Sequence, residues 1–216
     1  SVYKLSHQLI SRWLEIGEKI SLESLNELSV NEFELTILKQ QFYKNINSVN
    51  SHSAGRLFDA VSAFFKLAPN KISYEGQGAI RLEAEALKAN SYSNKNIFTY
   101  STIEKNSMLY VDWREMFASL SPNNISKTDS TKIPQMALDF HKSLALAACE
   151  MIEYAISQTN TRNVVLSGGV FMNRVLSKLL FEELNKKKLS VFTHKLVPPN
   201  DGGISFGQAI ATSYLV

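Results

Sequence analysis

The chain has 216 residues, 44% of them hydrophobic and 20% charged, with a net charge of +3 and a single cysteine. That is enough apolar material for the core of one soluble domain, and no apolar run is long enough for a membrane-spanning helix. The small basic excess argues against nucleic acid as a partner, and the lone Cys149 excludes an internal disulfide and fits the reducing cytoplasm.

Ser1-Val2-Tyr3-Lys4 has neither an initiator Met nor the layout of a signal peptide, as expected of a fragment of a longer chain. Residues 2–20 place Leu5, Leu9, Trp13, Ile16 and Ile20 on one helical stripe, and residues 32–46 do the same with Phe33, Ile37, Leu38, Phe42 and Ile46. Both read as packing helices, with Trp13 in the core. Asn45 to Ser53 is a polar loop, and Ser53 is placed to cap a helix that runs from Ala54 to about Leu67 and stops before Pro69. Leu57, Phe58, Val61, Phe64 and Phe65 make the buried face of that helix. Gly55 and Asp59 lie one turn apart on a shared face. The glycine leaves the face bare, and the carboxylate suits a ribose diol as well as it suits solvent near a helix start.

Tyr74-Glu75-Gly76-Gln77 opens a further helix, along which Ala79, Ile80, Leu82, Ala86 and Leu87 recur. Residues 90–107 and 121–132 read as loops, with an edge strand over Ile97–Ile103 and a short helix over Trp113–Leu120. Pro134 starts a long helix to about Gln158, with Met136, Phe140, Leu144, Ala148, Met151, Ile152 and Ala155 as its stripe. His141 and Cys149 fall on neighbouring faces of it, too far apart in sequence for a catalytic pair, and are taken as structural.

Val164-Val165-Leu166 has strand character, and Ser167-Gly168-Gly169 breaks it. From Phe171 the apolar positions Phe171, Val175, Leu176, Leu179, Leu180 and Leu184 follow helical spacing. The Lys186-Lys187-Lys188 run suits the carboxyl end of that helix. Ser190–His194 is a second short strand. Pro198-Pro199-Asn200-Asp201-Gly202-Gly203 then leads into a last helix over about Ile204–Tyr214. Two strands, each followed by a glycine pair and a helix, predict adjacent parallel strands with both loops on one edge, where open α/β sheets bind ligands. A tight turn without a ligand is the plain alternative for each glycine pair. Walker, Rossmann and zincin signatures are absent from the sequence.

Ser167-Gly168-Gly169-Val170-Phe171-Met172-Asn173-Arg174 and Pro198-Pro199-Asn200-Asp201-Gly202-Gly203-Ile204-Ser205-Phe206-Gly207-Gln208, with Ser53-Ala54-Gly55-Arg56-Leu57-Phe58-Asp59 and Tyr74-Glu75-Gly76-Gln77 before them, resemble the HypF family. HypF proteins are carbamoyltransferases of nickel–iron hydrogenase maturation, with a domain related to the tRNA threonylcarbamoyl-transferases. The resemblance runs from about Arg12 to Gln208 and covers the second half of that domain. It implies one helix-rich α/β domain with a small sheet, the C-terminal lobe of an actin-like or ribonuclease-H-like (ASKHA) ATPase fold.

It further implies a nucleotide site, with Gly168, Gly169 and Asn173 on the adenosine side and Gly55 and Asp59 on the ribose side. Glu75 is a secondary candidate, and His52 stands where the family usually has a small hydroxyl residue. Asp201 is implied as one ligand of a zinc or iron ion whose histidine ligands lie upstream, so the chain alone is expected to hold no stoichiometric metal and to be inactive. The implied chemistry uses carbamoyl phosphate and ATP, through carbamoyl-adenylate, to carbamoylate the C-terminal cysteine of HypE, with no membrane and no nucleic acid involved. Two other classes stay open: a relative of the tRNA threonylcarbamoyl-transferases, and a docking module without catalysis that holds HypE.

Overall fold

Residues 32–44, 46, 52–68, 72–89, 98–120, 130–159 and 161–214 are described by a computed structural model. They form α1 (Glu32–Tyr43), α2 (Ala54–Phe64), α3 (Gln77–Ala86), β1 (Ser101–Lys105), β2 (Met108–Asp112), α4 (Arg114–Ser119), α5 (Ile133–Thr159), β3 (Asn163–Leu166), α6 (Arg174–Lys186), β4 (Ser190–Thr193) and α7 (Ile204–Ser213). The result is a helix-rich α/β protein with small sheets, as predicted. The expected helix over residues 2–20, Trp13 included, lies outside the described residues.

The described residues separate into two compact units, one holding those up to 102 and those in 111–139, the other those in 103–110 and from 140 on. In the first unit α2 buries Phe58, Val61 and Phe64, three positions of the predicted face. Leu82 and Ala86 of α3 are buried in the same unit. These two helices approach closely at Gly78: a Cβ there would run into the Ser62 hydroxyl and stand 3.3 Å from the Ser62 Cβ. That hydroxyl is fully buried and donates to the Asp59 carbonyl at 2.8 Å, so it has little room to turn away. Phe64 and Phe117 of α4 stack with their centroids 5.6 Å apart, in a tilted pair.

Three local expectations change. Ser53 holds the N-cap position of α2, but its hydroxyl makes no capping bond, and the helix start rests on the Ser53 carbonyl, which accepts from Arg56 and Leu57. Phe33 and Ile37 on α1, and Ile46 beyond its end, are exposed, so the expected buried stripe is not formed at these positions. The edge strand expected over 97–103 is the first arm of a hairpin: β1 pairs with β2 across Asn106 and Ser107. Those two residues have φ of 53° and 56°, the doubly left-handed backbone that matches strand twist in a two-residue turn.

The second unit is built on a β–α–β crossover. β3 and β4 pair in parallel, as the sequence pattern predicts; the register runs from Asn163 with Ser190 to Leu166 with Thr193. α6 joins them and buries Val175, Leu176, Leu179, Leu180 and Leu184, the predicted stripe without Phe171. Arg162, at the foot of β3, donates to the carbonyls of Lys187 and Lys188 at 3.0 and 3.2 Å, which ties the end of α6 to the start of the sheet. Burial on α5 runs around the helix over residues 137–143 and takes in Asp139, His141, Lys142 and Ser143, while Met151 of the predicted stripe is exposed. A single-face periodicity does not anticipate a helix covered on several sides. α7 has no buried residue, and Val165 and Phe192 leave part of the sheet bare.

Gly78→Ala is expected to destabilise the first unit by about 1–3 kcal/mol, the usual size of an overpacking change. Ser62→Ala removes the obstructing oxygen, so the double variant should lose less than the two single losses added. Denaturant unfolding of the four proteins checks this, and simple additivity would refute the contact.

Candidate functional site

At the carboxyl edge of β3 and β4 the two glycine-bearing loops are tied together. Gly168 N–H donates to the Pro199 carbonyl at 2.8 Å. Ser167 Oγ and His194 Nε2, the first residues past their strands, lie 2.9 Å apart. The Asn200 side chain accepts from Gly202 N–H at 3.1 Å and shapes the second loop. Gly168 has φ of 104°, a conformation that a side chain resists, and no heavy atom lies within 4 Å of where its Cβ would be. Glycine is needed there for the backbone and not for space. Gly168 and Gly169 are both exposed, so this backbone is open to a ligand.

A 3₁₀ turn over Gly169–Met172 separates the glycines from α6. The helix start is set by Asn173, whose Oδ1 accepts from Leu176 N–H at 2.9 Å as an N-cap. Its Nδ2 lies 2.9 Å from Nε2 of His141, a fully buried residue. Asn173 thus has two internal partners, a structural duty that the sequence reading did not assign. The signal for it was present: Asn just before a helical apolar period is a cap pattern.

Asp201 begins an exposed 3₁₀ turn over Asp201–Gly203 that leads into α7. Among the described residues no three His, Cys, Asp or Glu side chains gather as a metal site. A transition metal wants three or four protein ligands, so these residues alone do not fit one, and Asp201 offers a single carboxylate. Cys149 is buried, and burial pushes its thiol above the ordinary range, as in a structural cysteine.

The other sequence-predicted site residues stand in the first unit. Gly55 lies in the first turn of α2 and Asp59 one turn on, with the Asp59 carboxylate 3.2 Å from the Arg56 guanidinium. Burial raises the Asp59 carboxyl above its ordinary value; Arg56 opposes the rise and Glu75 adds to it. Glu75, just ahead of α3, therefore shares the electrostatics of Asp59. A half-buried carboxyl raised by its surroundings is a feature that functional sites accumulate.

The family model described as "Carbamoyltransferase, Kae1-like Domain, second subdomain" matches residues 3–208. The chain belongs to this HypF carbamoyltransferase family. Carbamoyltransferase HypF of Synechocystis sp. is 29% identical over 212 residues, taking in 92% of this chain and 26% of the relative. The probable carbamoyltransferase HypF of Methanocaldococcus jannaschii is 30% identical over 181 residues, covering 84% of this chain and 22% of that one. A crystal structure of full-length HypF in the phosphate- and nucleotide-bound form superposes with a TM-score of 0.77 at 25% identity, over 99% of this chain and 26% of that one. This HypF-family chain spans about a quarter of the length of the two curated relatives named above.

The raised Asp59 carboxyl has a measurable consequence. Its folded-state value lies above the unfolded one, so the proton it binds stabilises the fold fully below the unfolded value of 3.8, and this is lost as pH rises through the folded value. Asp59→Asn is expected to flatten that part of the stability–pH curve and to be no less stable than wild type at neutral pH. Thermal unfolding from pH 3 to pH 7 checks it, and an unchanged slope would refute it.

Proposed function

We propose that this chain is the nucleotide-binding part of a HypF carbamoyltransferase, the C-terminal lobe of an actin-like or ribonuclease-H-like ATPase fold. In this reading the whole protein makes carbamoyl-adenylate from carbamoyl phosphate and ATP. The carbamoyl group then passes to the C-terminal cysteine of HypE during hydrogenase maturation in the cytoplasm. The cysteine sulfur forms a bond to the carbamoyl carbon, the bond from that carbon to the adenylate oxygen breaks, and AMP leaves with its electron pair while the thiol proton goes to a base or to water.

The observation that supports this best is the bond from Gly168 N–H to the Pro199 carbonyl at the carboxyl edge of the parallel pair. It holds an exposed glycine backbone against a second glycine-bearing loop, in the place where α/β sheets receive nucleotides. The exposed Gly168 and Gly169 N–H and carbonyl groups offer close approach without a side chain, and Asn173 fixes the end of the loop. In the first unit Gly55 and Asp59 are proposed separately as contacts to a ribose. Asp201 is proposed as one ligand of a metal whose other ligands the relatives' longer chains would supply, and no chemical step is assigned to it.

Two expected outcomes follow for the full-length protein. A peptide ending in the HypE cysteine should receive label from carbamoyl phosphate in the presence of ATP, and a protein lacking residues 1–216 should not transfer it; equal labelling by both would refute the assignment. Gly168→Ala, which forces a side chain into a left-handed backbone, should weaken ATP binding by about 1–3 kcal/mol. Asp59→Ala should do so by a similar amount, the size of a lost polar contact. Calorimetric affinities unchanged in both variants would show that these residues are structural only.

A further inference from the structure

We infer that His141 is a positioning residue for the β3–α6 loop: from inside α5 it holds Asn173, and through Asn173 the exposed Gly168–Gly169 backbone. This rests on the nucleotide reading of that loop.

The direction of the His141–Asn173 bond can be assigned from its other end. Asn173 Oδ1 is committed to Leu176 N–H at 2.9 Å, so turning the carboxamide round would set an NH₂ group against a backbone N–H. Nδ2 is therefore the donor and His141 Nε2 the acceptor, across 2.9 Å. An accepting Nε2 carries no proton, so the ring proton sits on Nδ1 and the imidazole is neutral. Leucine or phenylalanine would fill space at a fully buried position as well. What histidine supplies here is a lone pair aimed at one particular carboxamide.

That carboxamide belongs to the only buried residue among 168–173. Asn173 N–H donates to the Val170 carbonyl at 3.1 Å, and Phe171 N–H donates to the Gly168 carbonyl at 3.0 Å. Ser177 Oγ donates to the Phe171 carbonyl at 2.9 Å. A displacement of Asn173 thus carries Val170, Phe171 and Gly168 with it. The loop is suspended between two anchors, Pro199 at its start and His141 at its end. Removing the His141 acceptor leaves a buried N–H without a partner, and the cheapest relief is for the carboxamide to swing toward water and take the loop along. The sequence marks His141 only as a structural residue of α5, because nothing in its own spacing links it to a residue 32 positions further on.

The test uses the full-length protein with ATP as the probe. His141→Leu is expected to raise the ATP dissociation constant on the order of tenfold, as a lost hydrogen bond to a buried group does. His141→Gln, whose carbonyl oxygen can accept from the same Nδ2, should restore most of the affinity. Asn173→Ala combined with His141→Leu should cost little more than either alone. Nitrogen-15 spectra of the wild type should show Nε2 of one histidine as an unprotonated, hydrogen-bonded nitrogen that disappears in both His141 variants. If Gly168→Ala also leaves ATP affinity unchanged, the nucleotide reading of the loop fails and this inference with it. If Gly168→Ala weakens ATP binding while His141→Leu does not, the loop reading stands and the role of His141 is overturned. Loss of affinity in both His141 variants in proportion to their loss of melting temperature, without rescue by Gln, would likewise reduce His141 to a core residue.

Discussion

Parallel strands cannot be joined by a tight turn, so a chain that pairs β3 with β4 must leave the sheet at one edge, cross back through a helix and re-enter at the other. This constraint governs the second unit. It puts both exits, Ser167 and His194, on the same edge, and it makes two separate loops neighbours. The bond from Gly168 N–H to the Pro199 carbonyl then converts proximity into a fixed shape. Because the donor residue sits at φ of 104°, the shape is available to glycine and to little else. Everything proposed for this edge depends on that one backbone geometry.

The edge also shows how a site can be exposed and still be rigid. Gly168 and Gly169 face outward, but the bonds that hold them run inward, to Pro199 on one side and through Asn173 to α5 on the other. The groups exposed here are backbone atoms, so the shape of this edge rests on conformation more than on side-chain chemistry. In the first unit the balance is reversed. There the candidate group is a carboxylate, and the surroundings act on its charge through burial, Arg56 and Glu75.

Much of the second unit was legible in the sequence because its signals are local. A β-branched run, a glycine pair and a period of apolar residues fall within about twenty residues of one another, and they placed β3, α6, β4 and the parallel pairing. The hairpin was half visible. Asn106-Ser107 is a weaker turn signal than Asn-Gly, and the sequence predicts only the first arm. Of the predicted α5 stripe Phe140 is buried, but the rest of that core and the His141–Asn173 pair were not legible. Burial on several faces erases helical periodicity, and a hydrogen bond between residues 32 apart has no trace in either residue's own neighbourhood. Asn173 stands both in the family motif and just before a helical apolar period, and the second pattern is the one that accounts for its bond to Leu176 N–H.

α7 is a helix of 10 residues without one buried side chain. That is shorter than the length at which an isolated helix persists in water, so its helicity is conditional on contact with some other surface. Ile204, Phe206 and Ile210 are exposed on it, and the turn that carries Asp201 runs directly into its first residue. The Asp201 turn is tied on its upstream side through Pro199 and Asn200, while the helix on its downstream side has no buried side chain. In the proposed reading of Asp201 as a ligand, a surface that covers α7 would also steady the carboxylate beside it, so docking and ligation would be coupled.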